Sequence, residues 1–163
     1  MSESVKAQID ILAAFPEQLK RQIKGLDEAA LRFRPAPDEW SIMEIIGHII
    51  DVGALWPGRT RQMLAADNPA LAVLDSNWVR QRDYHNKQAD FLLITLAEQR
   101  AEYVEFLRTL RPAQLARTGI HPTRGPLTVE LGIAALADHD HEHSRQIAAN
   151  LEVYDRQAPR SIA

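Results

Sequence analysis

The chain contains no cysteine. Disulfides, thiolate metal ligands and thiol nucleophiles are therefore excluded, so a bound metal must be held by nitrogen and oxygen, and a reacting thiol must come from a cosubstrate. No apolar run approaches the ~20 residues a membrane-spanning helix needs, and the N-terminal MSESVKAQIDILAAFPEQ is too polar and acidic to be a secretory signal. A soluble, unprocessed cytoplasmic protein with no membrane partner is expected. An excess of one charge is lacking too: 19 Lys and Arg against 22 Asp and Glu leave a net charge of -3, which argues against a nucleic-acid partner and leaves only local basic patches for anions. Internal repeats, low-complexity tracts and strand pairs with hairpin turns are also missing. What is present is 163 residues, 45% of them hydrophobic, enough for one domain spanning residues 1–163 around a real core.

The apolar residues fall at helical spacing. From Ser4 to about Gly25, Ile9, Leu12, Ala13, Leu19 and Ile23 mark a first helix, with Pro16 as a kink or break and Gly25 as a stop. The segment FRPAPDEW (residues 33–40) carries two prolines and must be irregular or extended. Ser41 with Glu44 three residues on forms a capping box ahead of Ile42, Ile45, Ile46, Ile49 and Ile50. A second helix thus begins near Ile42 and reaches about Ala66, bent at WPG (residues 56–58). Residues 67–88 keep no period and read as a long crossover with one short helix, a length often associated with function. Leu92, Leu93, Leu96, Tyr103, Phe106, Leu107 and Leu110 define a third helix from Ala89 to about Leu110. TGIHPTRGPLT (residues 118–128) reads as a Pro/Gly-rich connector, and Thr128 can cap a fourth helix running to about Tyr154. The expected fold is an all-α four-helix bundle with a long crossover between helices two and three.

The fourth helix carries ADHDHEHSRQI (residues 137–147), with His139, His141 and His143 at alternate positions. At about 100° per residue, His139 and His143 lie about 40° apart, whereas His141 points about 200° away from His139. Leu136, Gln146 and Ile147 share the face of the pair, so His139 and His143 are expected to turn into the bundle. Asp138, His141 and Arg145 are expected outside, and Asp140 and Glu142 are read as solvating the outer face. Two imidazoles one turn apart can aim a nitrogen each at one ion. The third donor is sought at His48, an ionisable ring on the isoleucine-rich second helix, beside Ile45, Val52 and Leu55. Three neutral imidazoles with an open position describe a catalytic rather than a closed structural site.

Plainer readings compete. A buried His48 is more often a hydrogen-bonded core residue than a ligand, and His85 and His121, in loops, fit surface or turn roles. A zinc-protease reading sets His139-Asp140-His141-Glu142-His143 beside H-E-x-x-H, with Asp in place of the catalytic Glu. Only 20 residues follow His143, which leaves little room for the downstream ligand of such enzymes.

The pieces DEWSIMEIIGHIIDV (residues 38–52) and GPLTVELGIAALADHDHEHSRQI (residues 125–147), the latter closing in H-x-x-x-H-x-x-Q, resemble the DinB-like (DinB/YfiT-like) metal-binding four-helix bundles. The resemblance covers nearly the whole chain in helix order and spacing. It implies His48, His139 and His143 as ligands of a divalent ion, zinc or nickel foremost, and often a homodimer. Activities it implies include thiol transfer with a low-molecular-weight thiol cosubstrate, with hydrolase roles for other members. Where members often carry a glutamate shortly after the first histidine, this chain has Gly53, with Asp51 the nearest acid. The expected function is a metal-dependent thiol S-transferase acting on a small molecule, with Gln146 supporting the ligands and with Trp56 and residues 67–88 shaping the pocket. No general acid or base is assigned. A non-catalytic metal- or ligand-binding bundle and a metal-dependent hydrolase are the alternatives.

Overall fold

The computed structural model describes residues 1–75 and 77–157; Ser76 of the expected crossover, and residues 158–163 of the expected domain, lie outside the described residues. Four long helices dominate: α1 (Glu3–Gln22), α3 (Ile42–Ala65), α5 (Ala89–Arg108) and α7 (Val129–Gln157). Between them lie α2 (Glu28–Arg32), α4 (Trp78–Gln81), a 3-10 turn (Tyr84–Asn86), α6 (Pro112–Leu115) and strands β1 (Thr118–His121) and β2 (Gly125–Thr128). α1 and α3 each pack against both α5 and α7, which places α1 and α3 on one diagonal of the bundle.

Local chemistry sets the helix ends. The Val5 N–H donates to Ser2 Oγ at the start of α1, and Gly25, at φ 81°, turns the chain away after its end in a conformation open chiefly to glycine. The capping box of α3 is complete, with Glu44 N–H donating to Ser41 Oγ and Ser41 N–H to Glu44 Oε2. At α7 the Leu131 N–H donates to Thr128 Oγ1. Pro16 and Pro57 lie inside unbroken helices. Each forfeits one backbone hydrogen bond, but buried residues on both sides (Leu12, Phe15 and Leu19; Trp56, Thr60 and Met63) hold the two halves in one packing surface.

Residues 118–128 depart from the expectation of a connector without strand pairing. Thr118 through His121 pair antiparallel with Gly125 through Thr128, and Gly125 takes φ 71° as the chain re-enters the second strand. The hairpin lacks alternating apolar runs because partners outside it supply the support. Ile120 exchanges backbone hydrogen bonds with the 69–71 segment, and Gly119 lies against Leu71 and Met63, where a Cβ would come within 2.8 Å of either side chain. The long connection between α3 and α5 thus runs beside the hairpin.

The core forms two clusters. One gathers the α3 isoleucines with Phe15, Leu19, Leu96 and Ile147; the other joins Leu12, Trp56, Met63, Tyr103, Ile133 and Leu136. Each fully buried aliphatic side chain contributes about 1.5–3 kcal/mol of transfer free energy. Gly132 lets the Trp56 ring lie against α7, since a Cβ there would sit 2.5 Å from the indole. That contact fixes Trp56 beside the histidines.

Candidate metal centre

His48 of α3 and His139 and His143 of α7 come together, half-buried, with one ring nitrogen from each within 4.8 Å of the others. The ring centroids lie 5.1 Å apart for His48 and His139, 4.8 Å for His48 and His143, and 4.4 Å for His139 and His143. The Trp40 ring, whose centroid is 4.8 Å from that of His48, covers this group from the chain preceding α3. Asn150 holds the tryptophan in place by donating its side-chain N–H to the Trp40 carbonyl oxygen, 2.8 Å away.

Two of the donor atoms stand at the spacing of ligands on one divalent ion. His139 Nε2 and His48 Nε2 are 3.1 Å apart, near the ~3.0–3.4 Å edge of an octahedron or tetrahedron built on metal–nitrogen bonds of ~2.1 Å. The His143 Nδ1–H donates to Gln146 Oε1 at 2.8 Å, which leaves Nε2 of that ring as the lone-pair nitrogen. Burial, reinforced by the charges of His139 and His143, pushes His48 down to about 3. His143 is lowered by burial and by His139, against the opposing pull of Gln146, Glu142 and Asp140. At neutral pH His48 and His143 are therefore neutral imidazoles, the form that binds metal.

His141 is exposed on the outer surface with Asp138, Glu142 and Arg145, as the helical projection requires. Asp140 corrects the reading that placed it on the solvated face. It is 1% exposed and paired with an equally buried Arg100 of α5, with Nη1 to Oδ2 at 2.5 Å and Nη2 to Oδ1 at 3.3 Å. Packing of α7 on two sides is the reason. Its nine buried residues, Val129, Leu136, Asp140 and Ile147 among them, centre about 50° round the helix from the histidine pair. The histidines thus occupy the shoulder of the buried arc, where core gives way to cavity. His139 Nδ1 is buried without a hydrogen-bond partner, 3.7 Å from Asp140 Oδ1. A ring that binds an ion through Nε2 carries its proton on Nδ1, and this carboxylate is positioned to attract it.

At Gly53, a Cβ would lie 2.5 Å from Gln99 Oε1 and 3.5 Å from Arg100 Nη2, so α5 side chains fill the space a larger residue would take. Asp51 is directed elsewhere, accepting from the Tyr84 hydroxyl at 2.8 Å. His85 stands beside the α3 cap, its Nδ1 3.3 Å from Ser41 Oγ. His121 Nδ1 accepts from the backbone N–H groups of Thr123 and Arg124 in the hairpin turn. Its ring also stacks on Trp56 at 6.1 Å.

A cavity of about 320 Å³ opens beside His48 and His139 and reaches Trp56, His121, and Val73 and Leu74 of the long connection. Trp40 stands in the motif DEWSIMEIIGHIIDV that carries the resemblance, but the sequence offered no signal for Arg100 or Arg59, because each depends on contacts between segments far apart in the chain.

Residues 12–147 match the DinB superfamily. Curated relatives named as candidate metal-dependent hydrolases include one from Bacillus mycoides, 24% identical over 148 residues covering 90% of this chain and 85% of its own. Another, from Halalkalibacterium halodurans, is 26% identical over 147 residues, covering 89% and 85%. Among solved structures, YfiT from Bacillus subtilis, described as a probable metal-dependent hydrolase with an unusual four-helix bundle topology, superposes with a TM-score of 0.85. It is 23% identical, with 96% of this chain and 89% of that chain covered. The four-helix bundle protein TT2238 superposes with a TM-score of 0.66 at 20% identity, covering 89% and 98%. With the helix order, the paired α7 histidines and the family match in agreement, this chain belongs to the DinB superfamily.

Proposed function

We propose that His48, His139 and His143 hold a divalent ion, zinc or nickel, and that the protein is a cytoplasmic metal-dependent thiol S-transferase acting on a small molecule. The convergence of three ring nitrogens, on two histidines that line a cavity and a third beside them, supports the metal. With three protein donors the ion keeps open positions, and it would supply there the stabilisation of a nucleophile's negative charge. Trp40 shields one side of the ligands and Gln146 fixes the tautomer of His143.

The single observation that favours a thiol over water is the character of the cavity wall, which carries no carboxylate among the described residues. Water on such an ion can also ionise near neutral pH, but hydrolysis then ordinarily relies on a general acid or base to serve the leaving group. A thiol, with a free pKa of about 8.5, ionises near a cation without one. The chain has no cysteine of its own, so the thiol belongs to a cosubstrate. Hydrolysis is the second reading, favoured by the names given to the relatives. We also propose a homodimer, for which Phe91 and Ile94, both exposed and one turn apart on α5, offer an apolar patch.

The test begins with untagged protein, metal content by mass spectrometry, and consumption of small thiols in the presence of chlorodinitrobenzene. One ion per chain in the wild type and in His141→Ala, with most of it lost in His48→Ala, is the expected pattern. Equal loss in both variants would refute the ligand assignment. Full metal occupancy with ester hydrolysis and no thiol consumption would favour the second reading.

A further inference from the structure

The cavity has a second end, away from the histidines. His48, Val52, Leu55 and Arg59 fall within about 60° of one face of α3, and all four line it, as does Arg124 of the hairpin turn. Arg59 is only 4% exposed. Its Nε–H and Nη2–H both donate to the Ala72 carbonyl oxygen, at 3.0 and 2.6 Å, and its guanidinium lies 5.0 Å from the centre of the Trp56 ring. Among the described residues no carboxylate pairs with it, in contrast to Arg100 and Arg34, which meet Asp140 and Glu44. A buried guanidinium without a counter-ion is costly, and a carbonyl dipole and an aromatic face offset only part of that cost. The cavity wall therefore presents two cations and no anion in a protein whose net charge is -3.

We propose that this cavity takes small molecules bearing a carboxylate or phosphate, with the anion held by Arg59 and Arg124 and the apolar body lying along Val52, Leu55 and Leu74 toward the histidines. The depressed pKa of His121, lowered by burial and then by Arg59 and Arg124, agrees with a positive field at that end. The Cα atoms of His48 and Arg59 are separated by about 16 Å along the helix axis. An extended substrate, anchored at its anion and reacting at its other end, matches that layout better than a compact one. The reacting end rests on the metal reading above, whereas the anion end stands on the arginines.

Calorimetric titration of the metal-loaded protein with phenylacetate, phenylphosphonate and neutral phenylacetamide tests this. The acids should bind and the amide should bind at least about tenfold more weakly, as expected for loss of a charge-assisted contact. Whichever acid binds more tightly identifies carboxylate or phosphate as the preferred anion. Arg124→Gln, an exposed turn position, should weaken the acids by about tenfold and leave the amide unchanged. Arg59→Gln should do the same where its circular dichroism matches wild type. Equal binding of acid and amide, no effect of Arg124→Gln, or no binding by any probe would overturn the proposal. So would acid binding that disappears in metal-stripped protein and His48→Ala, which would mean ligation by the ion. Metal content measured on the same samples keeps the two readings apart: arginine-dependent anion binding by wild-type protein that takes up no metal on loading refutes the metal centre and leaves the anion pocket standing.

Discussion

Replacing Asp140 by alanine is expected to be among the most damaging single changes in the bundle. The side chains of Arg100 and Asp140 are 2% and 1% exposed, and two hydrogen bonds join them. Removing the carboxylate leaves a guanidinium buried between α5 and α7 without its counter-ion. Breaking one side of such a buried pair costs about 3–5 kcal/mol, most of it the desolvation of the remaining charge rather than the loss of attraction. For a chain of this size that is about 6–20 °C in Tm, taking about 2–4 °C per kcal/mol. Replacing both partners with apolar residues, Arg100→Met with Asp140→Leu, should recover most of the loss, because neither charge is then buried. The assay is urea unfolding of metal-free protein for the wild type, Asp140→Ala, the single variants Arg100→Met and Asp140→Leu, and the double variant. A loss below about 1 kcal/mol for Asp140→Ala, or a double variant less stable than both singles, would refute the reasoning. The same position also bears on His139, whose buried Nδ1 has that carboxylate at 3.7 Å. Asp140→Asn keeps the shape and should lower metal affinity by about tenfold.

Gly47→Ala places a Cβ 2.1 Å from the Tyr84 ring, so the turn at residues 84–86 must move off α3. Thermal unfolding should register a loss of about 1–3 kcal/mol, and an unchanged Tm would show that the contact is slack. Glu44 carries a pH signature: burial raises its pKa, but hydrogen bonds from Arg34 and from the Ser41 N–H and hydroxyl outweigh that and hold it below its usual 4.5. With the folded value below the unfolded one, its stabilisation is full above about pH 4.5 and is lost as pH falls through the folded value. The stability gap between wild type and Glu44→Gln, measured by denaturant titration at neutral and acid pH, should therefore narrow at acid pH; a constant gap would contradict the assignment.

The bundle was legible because its signals are local. Ser41 and Glu44 cap α3 where the capping box implies, and the isoleucines that follow bury at the spacing they show in the sequence. The metal candidates were legible for a related reason. A period of two cannot keep three rings on one face of a helix, so His141 had to leave the pair, and a third donor had to come from another apolar face. What stayed hidden depends on partners distant in the chain. The hairpin at 118–128 is supported by residues 69–71 and Met63, and nothing inside its own sequence carries the alternation of a strand pair.

Asp140 escaped for a different physical reason. A projection fixes the angles between residues on a helix but not the zero of rotation against the bundle. Taking His139 and His143 as the centre of the inward face set that zero about 50° from the true one. With the rotation corrected, the centre of the face belongs to Leu136, Asp140 and Ile147. A fully buried histidine pair would be closed off by core side chains, with no route for a substrate. Placed on the shoulder of α7, His139 keeps its Nδ1 beside Asp140 and, with His48, borders a cavity that continues to Trp56 and Arg59. The displacement that hid the carboxylate from the sequence reading is what gives the histidines both a buried support and an open side.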